Sequence, residues 1–289
     1  MMSHTKRDLR IVAIILPVWV SVFLLFFQNH LEILVRLWFV LPLSFVAAAF
    51  ANATAVGGGF IFIPLWMFVF KLDPMSALKL SLATEAVGMT CGACEWGPKR
   101  RVPELTWTVV LMSSIGVLVG TFLLKPTALY IKGVFGLISI LMGVATLKML
   151  NFHGKNEGPS RRWAFYPASV VGGLVSSWIS IGSGGIISVL LMLVYGVHAE
   201  RSIGTGVLVL SANAILATAC HVLTGSIPYE VRELLLFTVP AVVLGSRFGV
   251  RMGAAVGQRK LKLTFASVAI ADGILMFSFL AWHIIGQGH

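Results

Sequence analysis

Apolar residues occur in runs that are long enough to cross a lipid bilayer. After a first run at residues 11–27, further runs occupy residues 33–70, 74–96, 104–124, 128–150, 164–195, 199–222, 229–246 and 261–285. A helix needs about 20 apolar residues to span the hydrocarbon layer, whereas a membrane β-strand shows alternating segments of about ten. The pattern therefore predicts an all-α polytopic membrane protein.

Two of these runs are too long for one crossing, and glycines interrupt both. Gly57–Gly59 lie inside run 33–70, and Gly182–Gly185 lie inside run 164–195. Glycine weakens a helix and permits tight turns. We predict that each run is a broken helix forming a re-entrant hairpin, which enters the membrane and returns to the same side.

The composition excludes a soluble protein. Hydrophobic residues make up 57% of the chain and charged residues 11%, which leaves too little polar surface for a soluble domain of this length. The net charge of +11 would suggest nucleic acid if a soluble domain carried it. Here the sequence predicts no nucleic-acid partner, and basic loops on the cytoplasmic side explain the charge.

The positions of the basic residues predict the topology. If both broken helices are hairpins, most lysines and arginines lie on the same side as the N-terminus, including Lys99, Arg100 and Arg101. Cytoplasmic loops carry the excess of such residues. We predict a cytoplasmic N-terminus, seven full crossings, two hairpins and a C-terminus on the outside.

The two halves of the chain show matching features in the same order. Gly58 corresponds to Gly184, and Gly120 corresponds to Gly245. Each half would form a hairpin and three crossings, so the halves would be inverted repeats, as in secondary transporters. The predicted parts are a signal-anchor helix, repeat 1, a basic cytoplasmic linker and repeat 2, at residues 1–30, 31–150, 151–163 and 164–289.

The glycine breaks predict an anion site. A half-helix that begins inside the protein directs free N–H groups and the positive end of its dipole inward. The candidate substrate-binding residues are Asn52, Thr54, Gly57, Gly58, Gly59, Ser81, Ser183, Gly184, Gly185, Thr205 and Asn213. The alternative is that the glycines only permit close helix packing.

A few charged residues within the apolar runs are further candidates. Glu85 is a candidate for proton coupling, because a carboxylate at membrane depth commonly faces a pathway; it can equally be a structural partner of Lys79 or of a backbone N–H. For Asp272 we favour a structural role. Lys79, Arg100 and Arg247 can attract an anion, or they can serve as lipid contacts and topology signals.

The sequence predicts no metal, no cofactor and no enzymatic activity. Cys91 and Cys94 are close enough on a helix to meet, but no second cysteine pair or nearby histidine completes a zinc set. We favour a structural role for these two cysteines as buried residues. A persulfide relay is the minor alternative. No Ser–His or paired-carboxylate constellation occurs at membrane depth.

Two glycine-rich signatures resemble a known family. The segment Ala55–Leu65, and the segments Ile181–Gly185 and Ser202–Gly206, are similar to the two repeat signatures of the sulfite exporter TauE/SafE family. The resemblance extends over about residues 33–285, although Lys79–Ser81 and Thr205–Gly206 depart from the family pattern.

The resemblance implies the function and the location. It implies gradient-driven export of sulfite, or of an organosulfonate such as sulfoacetate, across a bacterial-type inner membrane. The partners would be a small sulfur oxyanion or sulfonate, membrane lipid and, in a homodimer, a second copy. A passive anion channel and a carrier of another small organic anion are the alternatives on the same fold.

Overall fold

The computed structural model describes residues 2–54, 57–124, 128–148, 150, 165–180, 183–193, 195–225, 227–255 and 258–286. Within these residues the chain is helical apart from short connections. The helices are α1 (Met2–Phe26), α2 (His30–Leu37), α3 (Val40–Thr54), α4 (Gly59–Pro64), α5 (Pro74–Trp96), α6 (Pro103–Leu118), α7 (Ala128–Lys148), α8 (Phe165–Ile179), α9 (Ser183–Leu193), α10 (Ala199–Thr224), α11 (Tyr229–Ala255) and α12 (Gln258–Gly286). Single π-helical turns extend α4 (Leu65–Val69) and α6 (Val119–Leu123). The predicted linker 151–163 lies outside the described residues.

Helix α5 begins and ends where its sequence predicts. The Asp73 side chain accepts hydrogen bonds from the N–H groups of Met75 and Ser76, at 3.0 and 3.1 Å, and Pro74 occupies the first turn. Partial burial favours the neutral carboxyl, but the hydrogen bonds outweigh it and hold the pKa of Asp73 below its ordinary value. Gly97 ends the helix in a left-handed conformation, with φ +69°.

Several helices have the length and apolarity of membrane spans. Among the described residues, four stretches qualify, and a fifth does if the bent pair α2–α3 is one span. The four are Leu105–Leu123, Tyr130–Lys148, Glu200–Thr224 and Tyr229–Gly253. The predicted class, an all-α multi-pass membrane protein, is confirmed. The count of seven crossings stays a prediction.

The sequence pattern did not predict the bend between α2 and α3. The two helix axes differ by 46°, although no glycine lies there. Pro42, in the first turn of α3, has no N–H to donate to the carbonyl of Trp38, so the helical hydrogen-bond ladder is interrupted at this point.

Both glycine-containing runs are broken where the glycines predict it. The first break separates α3 from α4, and the second separates α8 from α9. The backbone is left-handed at Gly57 (φ +95°) in the first break and at Ser180 (φ +53°) in the second. A left-handed residue stops a helix and redirects the chain.

Helix directions show that the chain turns back at the first break. Helices α3 and α11 run parallel, since a Cβ at Gly245 would lie 2.3 Å from the carbonyl oxygen of Phe45 and one at Gly249 would lie 1.9 Å from that of Ala49. Helix α5 also runs parallel to α11, because Gly88 lies beside Val242 and Glu95 pairs with Arg251. Helices α3 and α5 therefore point the same way, and the half-helix between them returns the chain.

Contacts also give the directions of the helices around the second break. Helix α8 runs parallel to α6, with Gly116 against Val170 and Gly120 against Leu174. Helix α6 runs parallel to α10, through the contacts of Val102 with Thr205 and of Ser113 with Asn213. Since α10 is antiparallel to α5, through Thr90–Ser211 and Lys79–Gly225, α8 and α10 point opposite to α3 and α5.

Apolar side chains surround the region where the breaks meet. Phe60 and Ile63 of α4 share one buried cluster with Leu78 and Leu82 of α5 and with Ile179 at the end of α8. This packing holds both breaks against α5 and positions the polar groups described next.

Candidate functional site

A buried carboxylate joins the two helix breaks. Glu85, on α5, is 2% exposed. Its Oε1 accepts a hydrogen bond of 2.7 Å from the N–H of Gly59, at the start of α4. Its Oε2 accepts one of 2.9 Å from the Ser180 hydroxyl, at the end of α8. Of the two structural partners that the sequence suggested, the backbone N–H is the one present. No ion pair among the described residues includes Glu85.

Two serines continue the hydrogen bonding away from the carboxylate. The Ser81 hydroxyl donates to the Ser180 hydroxyl at 3.1 Å, and Ser180 donates in turn to Glu85. Both serines are fully buried. The predicted candidate Ser81 thus lies at the site, and it reaches the carboxylate through Ser180.

The backbone of the first break lies against the same carboxylate. A Cβ at Gly57 would lie 3.2 Å from Glu85 Oε1 and 3.0 Å from Leu210 Cδ2. A Cβ built on Gly58 would point toward its own helix, α4, and would lie 2.7 Å from the ring of Phe62. All three glycines therefore lie against Glu85, because a Cβ at Gly58 would also be 3.5 Å from Glu85 Cγ.

The second break carries a hydroxyl instead of a carboxylate. Ser183 opens α9, is fully buried, and its Oγ has no hydrogen-bond partner. Gly184 lies at a helix contact, because a Cβ there would be 2.5 Å from the carbonyl oxygen of Gly206. Gly185 is buried as well. Leu210 of α10 reaches both Gly57 and Gly184 and so separates the two breaks.

The two predicted asparagines occupy neighbouring helix interfaces. Asn52 donates to the Ala48 carbonyl at 3.0 Å and to the Ser246 hydroxyl at 2.9 Å, which ties α3 to α11. Asn213 accepts a hydrogen bond of 3.0 Å from the Ser113 hydroxyl. Its Nδ2 is buried without a partner. Asn213 is therefore the predicted asparagine with an unused donor.

The Thr205 side chain is directed to another helix contact. Its hydroxyl accepts from the N–H of Val102 at 2.9 Å and donates to the Arg201 carbonyl at 2.8 Å. These bonds link the start of α6 to α10. Only the backbone beside Thr205 reaches the second break, where the Gly206 carbonyl lies against Gly184. The side chain of Thr54, the last residue of α3, lies outside the described residues.

A cavity of about 320 Å³ borders the site on the side of Lys79. Lys79, His221 and Thr121 contribute its polar wall, and Ser177 and Trp178 continue toward Ser180. The Trp178 indole donates to the Gly120 carbonyl at 2.9 Å. We call this region the Lys79 end of α5.

Ion pairs occupy the opposite end of α5. Glu95, with a side chain 7% exposed, pairs with Arg247 at 3.3 Å and with Arg251 at 3.1 Å. Arg100 lies 3.7 Å from Glu200 and stacks over Trp96. We call this the Glu95 end. The three predicted anion-attracting residues are thus divided, with Lys79 at one end of α5 and Arg247 and Arg100 at the other.

The other predicted candidates lie outside this centre. Asp272 has a buried carboxylate oxygen without a partner, on α12. Cys91 is partly buried and Cys94 is exposed. No group of three or more metal-ligating side chains occurs among the described residues.

Two further residues contribute to the site, and sequence reasoning missed one of them, Leu210. Ser180 is the only hydroxyl bonded to Glu85 in the described structure, and Leu210 is the apolar residue between the breaks. Ser180 precedes the glycine turn directly, which was a signal for its proximity. Leu210 is one of many leucines, and only the crossing of α10 over both breaks distinguishes it.

Two half-helices meeting in an apolar helical bundle, with a buried carboxylate between them, define a multi-pass membrane transporter. The chain belongs to the sulfite exporter TauE/SafE family, whose family model matches residues 40–276. A relative from Bacillus subtilis (strain 168), described as probable membrane transporter protein YjnA, is 25% identical over 258 residues, covering 81% of this chain and 97% of the relative. No solved structure matches the chain.

Proposed function

We propose that this protein is a gradient-driven carrier that exports a small sulfur-containing anion. Sulfite and an organosulfonate such as sulfoacetate are the first substrates to test, in keeping with the family's description as sulfite exporters. The observation that carries the mechanism is the position of Glu85. Its carboxylate accepts hydrogen bonds from groups at both helix breaks, at 2.7 and 2.9 Å.

Glu85 acts in this proposal as an internal anion that competes with the substrate. The N–H of Gly59 points at a carboxylate oxygen, as it would at the oxygen of a sulfite or sulfonate. The Glu85 carboxylate and a substrate anion cannot both accept the hydrogen bond of Gly59 at the same time. A proton on Glu85 removes the competing negative charge, so anion and proton occupy the carrier together and export follows the anion's own outward gradient. Acid on the side of uptake then speeds anion binding.

The second break supplies a donor that has no acceptor in the protein. Ser183 Oγ is buried without a hydrogen-bond partner, which is costly unless a ligand satisfies it. On α10, three residues after Leu210, Nδ2 of Asn213 is also buried without a partner. An anion that displaces Glu85 would offer oxygen acceptors to such groups. The start of α9 adds the positive end of a helix dipole on the same side.

Alternating access explains why the two ends of α5 differ. The opposite directions of α3–α5 and α8–α10 support inverted repeats, and the cavity at the Lys79 end supports a pathway toward the breaks. At the Glu95 end, arginine pairs hold α5 to α11. We assign the Lys79 end to the outside and the Glu95 end to the cytoplasm of a bacterial-type inner membrane, since Lys99, Arg100 and Arg101 follow the latter.

The decisive test is counterflow of radiolabelled sulfite in proteoliposomes. Unlabelled sulfite, sulfoacetate, taurine, sulfate and thiosulfate compete for exchange, with and without a pH gradient, and empty liposomes are the control. A carrier shows saturable exchange that is accelerated by anion on the far side, and acid on the side of uptake raises the rate. Flux without saturation or trans-acceleration would identify a passive channel and reject the carrier.

The orientation has its own test, independent of transport. In a variant without the three native cysteines, a cysteine at Lys71 should react with a membrane-impermeant maleimide from outside. A cysteine at Lys99 should react only after the membrane is opened. Both native residues are exposed. Reaction of both from one side would reject the proposed crossing of α5.

A further inference from the structure

The cavity at the Lys79 end has two chemically different walls. One wall is polar and contains Lys79, His221 and Thr121. The other is formed by apolar side chains, including Trp178, Leu78 and Ile131. Among the described residues, no acidic side chain lines the cavity. Its volume of about 320 Å³ falls within the roughly 300–1,000 Å³ of small-molecule sites.

Two polar atoms of the lining residues are buried and lack a hydrogen-bond partner in the protein. They are Nε2 of His221 and Oγ1 of Thr121. Buried polar atoms are normally satisfied. These two lie behind the cavity surface, so a ligand in the cavity would reach them only if the side chains rotate toward it. The Lys79 ammonium adds positive charge on this wall, and it lies near the end of α10, 3.5 Å from a Cβ built at Gly225.

The apolar wall is fixed in place. The Trp178 indole N–H is already bonded to the Gly120 carbonyl, so the ring offers its carbon surface to the cavity. Leu78 and Trp178 also belong to the cluster that packs around the breaks. Trp178 is two residues before Ser180 and Lys79 is two before Ser81, so the cavity reaches within about one helical turn of the serines beside Glu85.

We propose that this cavity is a recognition subsite for organic anions that carry one anionic head and a short apolar stem. The head binds beside Lys79 and Thr121, whose hydroxyl can rotate toward it, and the stem lies against Trp178, Leu78 and Ile131. A bare inorganic oxyanion fills only the polar half, so the apolar wall favours an alkyl sulfonate or carboxylate. This inference rests on the proposed function, because it gives the carrier a selective entry to the breaks.

Direct binding tests the subsite without requiring transport. The full chain in nanodiscs of neutral lipid is titrated by calorimetry with 1-propanesulfonate, butyrate and sulfate. We expect 1-propanesulfonate to bind at least about tenfold more tightly than sulfate, since three buried carbons contribute about 0.8 kcal/mol each. Butyrate shows whether the head must be a sulfonate. Equal affinity for 1-propanesulfonate and sulfate would overturn the proposal.

Matched variants locate the binding. Lys79→Met should weaken 1-propanesulfonate binding by about tenfold, and Thr121→Val by about threefold, with folding checked by gel filtration. Lys71→Met is the control, because Lys71 is an exposed lysine on the same side and does not line the cavity. Unchanged binding in both Lys79→Met and Thr121→Val would overturn the proposal.

The outcomes separate this inference from the proposed function. Binding that depends on Lys79, without any counterflow, supports the subsite and rejects the carrier. Counterflow with binding that is indifferent to Lys79 and Thr121 supports the carrier and rejects the subsite.

Discussion

The two helix breaks have similar sequences but different occupants. At the first break, the N–H of Gly59 donates to the carboxylate of Glu85. At the second, Ser183 opens α9 with a buried hydroxyl that has no partner. The Gly59 N–H at the first break is therefore hydrogen-bonded within the protein, whereas the Ser183 hydroxyl at the second break has no partner there. A glycine-rich break thus predicts a helix start, while residues on other helices decide what binds there.

The largest expected effect comes from neutralising the internal anion. Wild-type exchange should rise by up to about tenfold for each pH unit of acidification while one group titrates. In Glu85→Gln the exchange should become independent of pH, because the amide does not titrate and competes more weakly for Gly59. The measurement is sulfoacetate counterflow in proteoliposomes between pH 6 and pH 8, because this substrate, unlike sulfite, does not titrate in that range.

Asp272→Asn is the matched control for this prediction. Asp272 is another carboxylate within an apolar helix, α12, and no hydrogen bond joins it to either break among the described residues. Its replacement should leave the pH profile unchanged. A flat profile in Asp272→Asn with a normal one in Glu85→Gln would transfer the coupling role to Asp272.

A methyl group at the first break should reduce transport by about tenfold or more. In Gly57→Ala the residue must keep a φ of +95°, which costs an L-residue about 1–2 kcal/mol. Its Cβ would also press on Leu210 Cδ2 at 3.0 Å and on Glu85 Oε1 at 3.2 Å. The measurement is counterflow per inserted protein.

Gly97→Ala separates backbone strain from the loss of the site. Gly97 also has a positive φ, +69°, but nothing lies within 4 Å of a Cβ there. This variant should transport at nearly the wild-type rate. Equal losses in the two variants would attribute the effect to strain alone and weaken the distinction between the breaks.

At the second break, Ser183→Ala should affect substrate affinity more than stability. The hydroxyl has no partner in the protein, so its removal relieves a desolvation cost of about 1–3 kcal/mol. We expect an unchanged or higher Tm and an anion KM raised about fivefold, a loss of about 1 kcal/mol of binding. A lower Tm with an unchanged KM would make Ser183 a structural residue.

The smallest effect is expected at an exposed helix start. Asp73 caps α5 from outside the membrane, so Asp73→Ala should lower stability by about 1 kcal/mol and leave counterflow unchanged. The pKa of Asp73 is lowered in the folded protein, so the carboxylate stabilises above its ordinary pKa of 3.8, and this contribution is lost as the pH falls through the folded value.

Thermal unfolding of Asp73→Ala and wild type at pH 7 and pH 3 checks this reference case. The difference in Tm should be larger at pH 7. A loss of transport in Asp73→Ala would contradict this prediction, because it would give the capping carboxylate a role in transport like that proposed for Glu85.

The sequence predicted the elements of this protein well because each depends on local chemistry. Asp73 and Pro74 mark the start of α5, and Gly97 marks its end. The glycine clusters mark both breaks, since glycine accepts the turns that other residues resist. Glu85 was identified as a functional candidate because a carboxylate at membrane depth is costly wherever the chain folds. Pro42 is also a local signal, because proline interrupts the helical hydrogen-bond ladder at the bend.

Contacts between distant helices could not be predicted in the same way. Thr205 and Ser81 were both predicted to bind substrate. In the structure Thr205 bonds to the start of α6, whereas Ser81 reaches Ser180 at the site. Spacing along one helix places residues on a face, but it does not tell which helix covers that face.

The sequence alone determined that the chain is helical, crosses a membrane and breaks two helices at glycines. Hydrophobicity and glycine conformation act over a few neighbouring residues, so they can be seen in the chain itself. Only the tertiary structure decided that Glu85 faces Gly59 and Ser180, that Leu210 separates the breaks, and that Lys79 and His221 share a cavity. Those pairings join residues far apart in the chain, and they exist only because helices of both halves pack against one another.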